Sequence, residues 1–213
     1  MTGFSITRDF SNILAHEAPS HPAAAEDDKT ILRRSLIALR RDIAAEQRTL
    51  FNLAIGSHVV AWWRAHPVPV LGVYWPIRHE PDLHAAYAEL AAAGVQLALP
   101  VVIAPDAPLE FAAWTPGAPL AKDAFGVSIP AGTLIPLPPQ ALLIPCVGFT
   151  EAGIRLGYGG GFYDRTLAAA ARPLAIGVAY ACTRADFAAA AHDVAMDAIV
   201  TENGMVEPIT IDH

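Results

Sequence analysis

The run Arg155-Leu-Gly-Tyr-Gly-Gly-Gly-Phe-Tyr-Asp-Arg165, set between two apolar segments, constrains this chain more than any other stretch. Glycines at 157, 159, 160 and 161 remove the Cβ atoms that would hold a bulky anion away from the main chain, and they permit positive φ. The preceding residues 141–147 read as a buried strand, and Phe162 to Ala171 reads as a helix. That order puts the glycines at a helix N-terminus, where amide donors and the helix dipole both favour anions. Arg155 and Arg165 bracket the loop with guanidinium groups suited to bidentate phosphate contacts. A turn that merely needs glycine is the plainer reading, but the flanking arginines favour phosphate. No Gly-Lys-Ser/Thr follows, which excludes a Walker A loop, and Phe162 stands where a dinucleotide fingerprint needs its last glycine.

Strand and helix patterns alternate along the rest of the chain. From Lys29 to about Ala45, Leu32, Leu36, Leu39 and Ile43 recur at helical spacing, with Asp28 as N-cap. Wound at about 100° per residue, Lys29, Arg33 and Arg40 fall beside this stripe, whereas Arg34 and Arg41 face solvent. A second helix covers Glu46 to His66, with Leu50 and Leu53 expected in the core. Val68 to Trp75 is a strand, and a loop containing Glu80 leads to a helix opened by Pro81. Glu80 thus sits at the sheet edge where open α/β folds bind ligands, although a plain charge at a helix start explains it equally well. Val95 to Ile103 and Leu109 to Trp114 form the next strands, and residues 115–139, rich in Pro and Gly, read as a long loop. Trp114 suits either the core or a planar ligand, the core being the commoner fate. Leu174 to Ala181 is a strand, Arg184 to Ala191 a short helix and Ala198 to Thr201 a last strand. The expected fold is therefore α/β: one three-layer domain over residues 29–213, with a mostly parallel sheet flanked by helices on both faces, preceded by a flexible arm at residues 1–28.

Composition narrows the function classes. A net charge of −7 lacks the broad basic surface that nucleic-acid binding needs, so any anion site must be local. No stretch is long and apolar enough to span a bilayer, and residues 1–28 lack the apolar run of a signal peptide, which makes the cytoplasm the expected location and excludes a membrane partner. Cys146 and Cys182 offer neither a disulfide framework nor a metal pattern and are read as buried reduced thiols. Asp193 and Asp197 flank Val-Ala-Met just before the last strand, where a carboxylate near a phosphate loop can serve as a Mg²⁺ ligand.

Taken together, Lys29-x-x-x-Arg33, Tyr74-Trp-Pro-Ile-Arg-His-Glu80-Pro81, the glycine run and Asp193-Val-Ala-Met-Asp197 resemble the 5-formyltetrahydrofolate cyclo-ligase family from about Lys29 to Glu202. The resemblance implies ATP- and Mg²⁺-dependent closure of 5-formyltetrahydrofolate to 5,10-methenyltetrahydrofolate, with release of ADP and phosphate. It implies Lys29, Arg33, Arg155, Gly157, Tyr158, Gly159, Gly160, Gly161, Phe162 and Tyr163 as ATP contacts, Arg155 and Tyr163 acting in the chemistry. It further implies Trp75, Glu80, Tyr158, Gly160 and Phe162 for the reduced folate, and Asp164 and Asp197 for Mg²⁺. Ile129 stands where many members carry glutamate, and Phe162 where tyrosine is common. A folate- or nucleotide-binding regulator without catalysis is the alternative on this fold, and a monomer or weak homodimer is the expected state.

Overall fold

The computed structural model describes residues 22–123, 126–132 and 134–206, with side chains from residue 28. Of the arm expected over residues 1–28, residues 1–21 lie outside them, whereas residues 22–28 are helical and form the start of the first helix rather than a flexible arm. Five parallel strands form the centre of the molecule: β1 (Val70–Gly72), β2 (Gln96–Val101), β6 (Ala141–Pro145), β9 (Leu174–Val178) and β10 (Ala198–Thr201). Antiparallel strands β3 (Glu110–Trp114) and β11 (Gly204–Val206) close the two edges, giving the order β11-β10-β9-β6-β1-β2-β3. The two remaining pairs are the hairpins β4 (Leu120–Lys122) with β5 (Ser128–Pro130), and β7 (Gly148–Phe149) with β8 (Arg155–Leu156).

Side-chain alternation divides the sheet between two cores. Leu71, Val73, Leu97, Leu99, Leu143, Ile176, Val178 and Val200 pack with α2 (Ala45–Ala65) and α3 (His84–Ala92) on one face. Val70, Ala98, Leu142, Ile144, Ala175 and Ile199 meet α4 (Phe162–Leu167) and its flanking segments on the other. Small residues on this second face allow close approach: a Cβ at Gly177 would lie 2.5 Å from Ile199 Cδ1 and 3.0 Å from Cys146 Sγ. Gly177→Ala should therefore destabilise the fold by about 1–3 kcal/mol through overpacking, read as a lowered urea midpoint at unchanged slope. Helix α1 (Pro22–Asp42) lies across the hairpin β7–β8, with Leu36 packed on Val147 and Leu156.

Several elements differ from their sequence reading. Helix α1 begins at Pro22, so Asp28 lies inside the helix and is not its cap. Leu39, Leu50 and Leu53 are exposed because α1 and α2 each bury a narrower stripe than their leucines suggest. The helix expected from Pro81 starts at His84, since Pro81 is held before it by the Tyr74 hydroxyl donating to its carbonyl at 2.7 Å. Residues 115–139 contain the hairpin β4–β5, and α4 ends at Leu167 rather than Ala171. Arg184 to Ala191 is not helical: Ala185 N–H donates to Phe149 O and Arg184 pairs with Glu151, which pins the segment to the β7–β8 hairpin. Cys146 is buried as expected, whereas Cys182 is exposed.

The sheet reverses direction between β1 and β6. From β1 the chain moves outward to β2 and β3, whereas β6, β9 and β10 build the opposite side. The carboxyl ends of β1 and β6 therefore splay apart and leave a crevice, the location at which doubly wound sheets take their ligands.

Candidate active site

A cavity of about 490 Å³ opens at this crevice, within the range of small-molecule sites. Its walls come from the segment after β1 (Tyr74, Trp75, Ile77, Arg78, Glu80), from the glycine loop with the start of α4, and from Lys29 and Arg33 on α1. Every ATP-contacting and folate-contacting residue anticipated from the sequence lines this one cavity.

The glycine loop has the backbone its composition calls for. Gly159 and Gly161 adopt φ of 91° and 64°, and Gly161 precedes α4 in the left-handed region that a Cβ disfavours. Helix α4 has only six residues, so main-chain amides and side-chain cations, rather than a long helix dipole, supply the loop's positive field. Arg155 enters from β8 almost fully buried; its Nη2 donates to both Asp164 oxygens at 3.0 and 3.2 Å, and its guanidinium lies 5.5 Å from the Tyr163 ring centre. A Cβ on Gly157 would fall 2.3 Å from Arg155 Nη1, so glycine is required there for the guanidinium to lie against the loop. Gly157→Ala should displace that group and raise the KM for ATP roughly 10-fold or more, the loss of about one charge-assisted contact.

Lys29 and Arg33 reach the cavity from one face of α1. Lys29 Nζ bonds Asp193 at 2.9 Å, and Arg33 Nε donates to Gly157 O at 3.0 Å, which ties the helix to the loop. Burial pushes the Asp193 carboxyl up, but the Ala190 N–H and the Lys29 ammonium outweigh it and hold the group below its usual range. Arg165, expected beside Arg155 on phosphate, is committed elsewhere: it donates to the carbonyls of Pro105, Ala107 and Gly160 and buttresses the loop from behind. That expectation is corrected.

In the segment after β1, residues 77–80 form a tight turn that contributes to the cavity lining. Glu80 N–H donates to Ile77 O at 2.9 Å, and Ile77 N–H donates back to Glu80 Oε2 at 2.8 Å. Between them Arg78 and His79 take φ of 48° and 60°, a left-handed pair without glycine that costs on the order of 1–2 kcal/mol per residue. The product of that strain is a carboxylate aimed from the loop into the site. Glu80 is 4% exposed, and its Oε1 accepts the Tyr158 hydroxyl at 2.8 Å. Burial raises the Glu80 pKa, opposed by the Ile77 N–H, the Tyr158 hydroxyl and the charges of Arg40 and Arg78. Burial and the Glu80 charge raise the Tyr158 phenol still further, so it remains a donor. Trp75 forms an adjoining wall, its ring packed edge-on against His84 and Trp114, the latter a core residue.

The two carboxylates expected to share Mg²⁺ are not brought together. Asp164 lines the cavity, but Asp197 does not. Asp197 precedes β10 at the amino end of the sheet, where it accepts from both Arg172 Nη groups and from Ala175 N–H. Its loop reading is correct and its metal reading is replaced by a structural role. Among the described residues no three His, Cys, Asp or Glu side chains gather to hold a metal ion. Asp164 nevertheless fits the kind of site at which Mg²⁺ takes one or two protein carboxylates and completes its shell with phosphate and water.

Arg40 is the site residue whose role the sequence reading left undeveloped. It is fully buried on α1 and reaches both Cys146 O and the Tyr158 hydroxyl. Its angle beside the leucine stripe was the available signal.

Comparison with known proteins agrees with this geometry. Residues 25–202 match the model of the 5-formyltetrahydrofolate cyclo-ligase family. The chain is 28% identical to the 5-formyltetrahydrofolate cyclo-ligase of Mycoplasma pneumoniae, with 82% of this chain and 99% of that one aligned. It is 33% identical to the enzyme of the same name from Mycolicibacterium smegmatis, over 60% of this chain and 71% of the relative. Among solved structures, 5,10-methenyltetrahydrofolate synthetase from Mycoplasma pneumoniae superposes with a TM-score of 0.65 at 25% identity, covering 82% of this chain and 99% of that one. The synthetase from Aquifex aeolicus gives 0.69 at 25% identity, covering 87% and 96%. With more than three-quarters of its length matched and the motif residues gathered in one cavity, the chain belongs to the 5-formyltetrahydrofolate cyclo-ligase family.

Proposed function

We propose that this chain closes 5-formyltetrahydrofolate to 5,10-methenyltetrahydrofolate at the expense of ATP, releasing ADP and phosphate. The observation that carries this reading is the polarity of one cavity. Part of its lining, Lys29, Arg33, Arg155 and the loop glycines, is cationic and rich in donors, and another part, Trp75, Glu80 and the Tyr158 side chain, is aromatic and bears an acceptor. A triphosphate suits the first and a flat, N–H-rich pterin the second.

The chemistry explains why no strong protein nucleophile is needed. A formamide oxygen is a poor leaving group. Transfer of the γ-phosphoryl group to the formyl oxygen, with ADP departing, converts it into a phosphate ester of an electrophilic carbon. N10 then attacks that carbon, the C–O bond breaks with its electron pair leaving on phosphate, and the N10 proton is lost to give the conjugated methenyl bridge. Such transfers depend on positioning and charge stabilisation. Arg155, Lys29 and the loop amides would hold the phosphates, and Glu80 would orient the pterin edge. Asp164 would contribute a carboxylate to Mg²⁺, which when bound neutralises phosphate charge and aids alignment. Trp75, Phe162 and Tyr163, which line the same cavity, would limit access of water to the activated carbon. Burial keeps the Tyr163 phenol protonated, consistent with a neutral ring stacked on Arg155.

The test is direct. Purified protein mixed with MgATP and 5-formyltetrahydrofolate should develop the near-ultraviolet absorbance of the methenyl product, with one ADP formed per product in a coupled assay. Folate binding without ADP formation would instead identify a non-catalytic regulator.

A further inference from the structure

Arg40 presents a physical problem that the reaction scheme leaves unsolved. It is 0% exposed, yet no carboxylate lies within salt-bridge distance among the described residues. Burying an unpaired guanidinium is costly, because the charge loses its hydration without a close counter-ion. Its Nε makes no hydrogen bond at all. The remaining contacts run toward the ligand cavity. Nη1 donates to Cys146 O at 3.2 Å, at the carboxyl end of β6, and Nη2 donates to the Tyr158 hydroxyl at 2.8 Å. That phenol donates in turn to Glu80 Oε1 at 2.8 Å.

Directionality follows from donor count. A guanidinium has only donors, so the Tyr158 oxygen must accept from Arg40 and has its single proton free for Glu80. Ile77 N–H occupies the other Glu80 oxygen at 2.8 Å. The carboxylate is thereby fixed in one rotamer by two donors on its protein side, with the lone pairs not used by these donors available to a ligand. Arg40 and Glu80 do not touch but are linked through the Tyr158 hydroxyl, and this bridge crosses from α1 through the glycine loop to the strained turn after β1.

We propose that Arg40 is a positioning residue for folate recognition: through the Tyr158 hydroxyl it orients the Glu80 carboxylate that receives the pterin. This inference rests on the assignment of Glu80 to folate binding. Arg40 itself does not line the cavity and need not touch either ligand.

The test compares Arg40→Lys, Tyr158→Phe, Glu80→Gln and the Arg40→Lys/Tyr158→Phe double variant, with KM measured separately for 5-formyltetrahydrofolate and MgATP. Lysine retains the charge and most of the buried stem, so it keeps the fold where alanine would endanger it, but one nitrogen on a flexible stem lacks the fork that spans Cys146 O and Tyr158. Arg40→Lys is expected to raise the folate KM about 10-fold, the loss of roughly one charge-assisted bond, while the ATP KM stays within about twofold. In the Tyr158→Phe background, where the bridge is already cut, the same substitution should add less than about a twofold further rise. Equal increases in both KM values, or a double variant equal to the product of the single effects, would overturn the proposal and leave Arg40 as packing. A lysine variant that fails to fold also overturns it, since a positioning role alone does not demand arginine for folding. Glu80→Gln distinguishes loss of the Glu80 contact from loss of the Arg40 relay. If it leaves the folate KM unchanged, the Glu80 assignment fails; if it weakens folate while Arg40→Lys does not, only the Arg40 relay fails.

Discussion

Replacing Arg155 by alanine is expected to lower kcat with MgATP by roughly 10²- to 10³-fold, the range for loss of one preorganised donor to a developing negative charge. The residue sits at the base of the glycine loop, nearly buried, with Asp164 holding one edge of the guanidinium and the Tyr163 ring stacked across it. These contacts leave it few alternative orientations, which is what charge stabilisation without reorganisation requires. Alanine would also strand Asp164, whose side chain is 15% exposed, so stability must be read alongside rate. The companion variant Arg155→Lys retains charge near Asp164 but cannot reproduce the fork. It should keep most of the Tm and still lose at least tenfold in kcat. A lysine variant with full activity would show that only a positive charge is needed there.

Glu80→Gln should raise the KM for 5-formyltetrahydrofolate by roughly 10- to 100-fold, corresponding to about 1.5–3 kcal/mol for hydrogen bonds to a charged acceptor, with little effect on ATP. The amide is nearly isosteric but offers one acceptor oxygen where the carboxylate offers two, and its NH₂ would face either the Tyr158 hydroxyl or Ile77 N–H. The pH dependence has a definite sign. Burial raises the Glu80 pKa, so the carboxyl takes up its proton at a higher pH than a free glutamate, and the acceptor is lost as pH falls through that raised value. The acid limb of kcat/KM for the folate should accordingly lie above the ordinary carboxylate range and vanish in Glu80→Gln. Equal weakening of ATP and folate would point to a distorted site instead.

Much of this arrangement was legible from residue order. The glycine loop between a strand and a helix, the parallel alternation and the placement of Glu80 beyond β1 all follow from local pattern, because turn chemistry and apolar period are properties of neighbouring residues. The helical angle even separated Arg40 from Arg41, one fully buried and the other exposed. Pairing choices were less accessible. Arg165 and Arg155 bracket the same loop, yet one is consumed by the carbonyls of residues 105 and 107, which the chain brings near only once the sheet has closed. Asp197 likewise looked like a companion to Asp193, but β10 runs parallel to β9, and that register delivers its carboxylate to Ala175 and Arg172 at the far end of the strands. Leu50 and Leu53 show the same limit for packing: periodicity identifies a helix, while the width of the face it buries depends on what lies opposite.

Helix α1 carries Lys29 and Arg33 in the cavity lining and Arg40 behind Tyr158, yet the apolar contact of its described side chains is the small cluster around Leu36, Val147 and Leu156. A segment with so few apolar contacts opens more readily than the strands beneath it. Each ligand that draws on its cations should therefore close it, and its amides should exchange with deuterium progressively more slowly from the free protein to the nucleotide complex and then to the complex with both ligands. Order along this one helix would then be a record of site occupancy, readable without turnover.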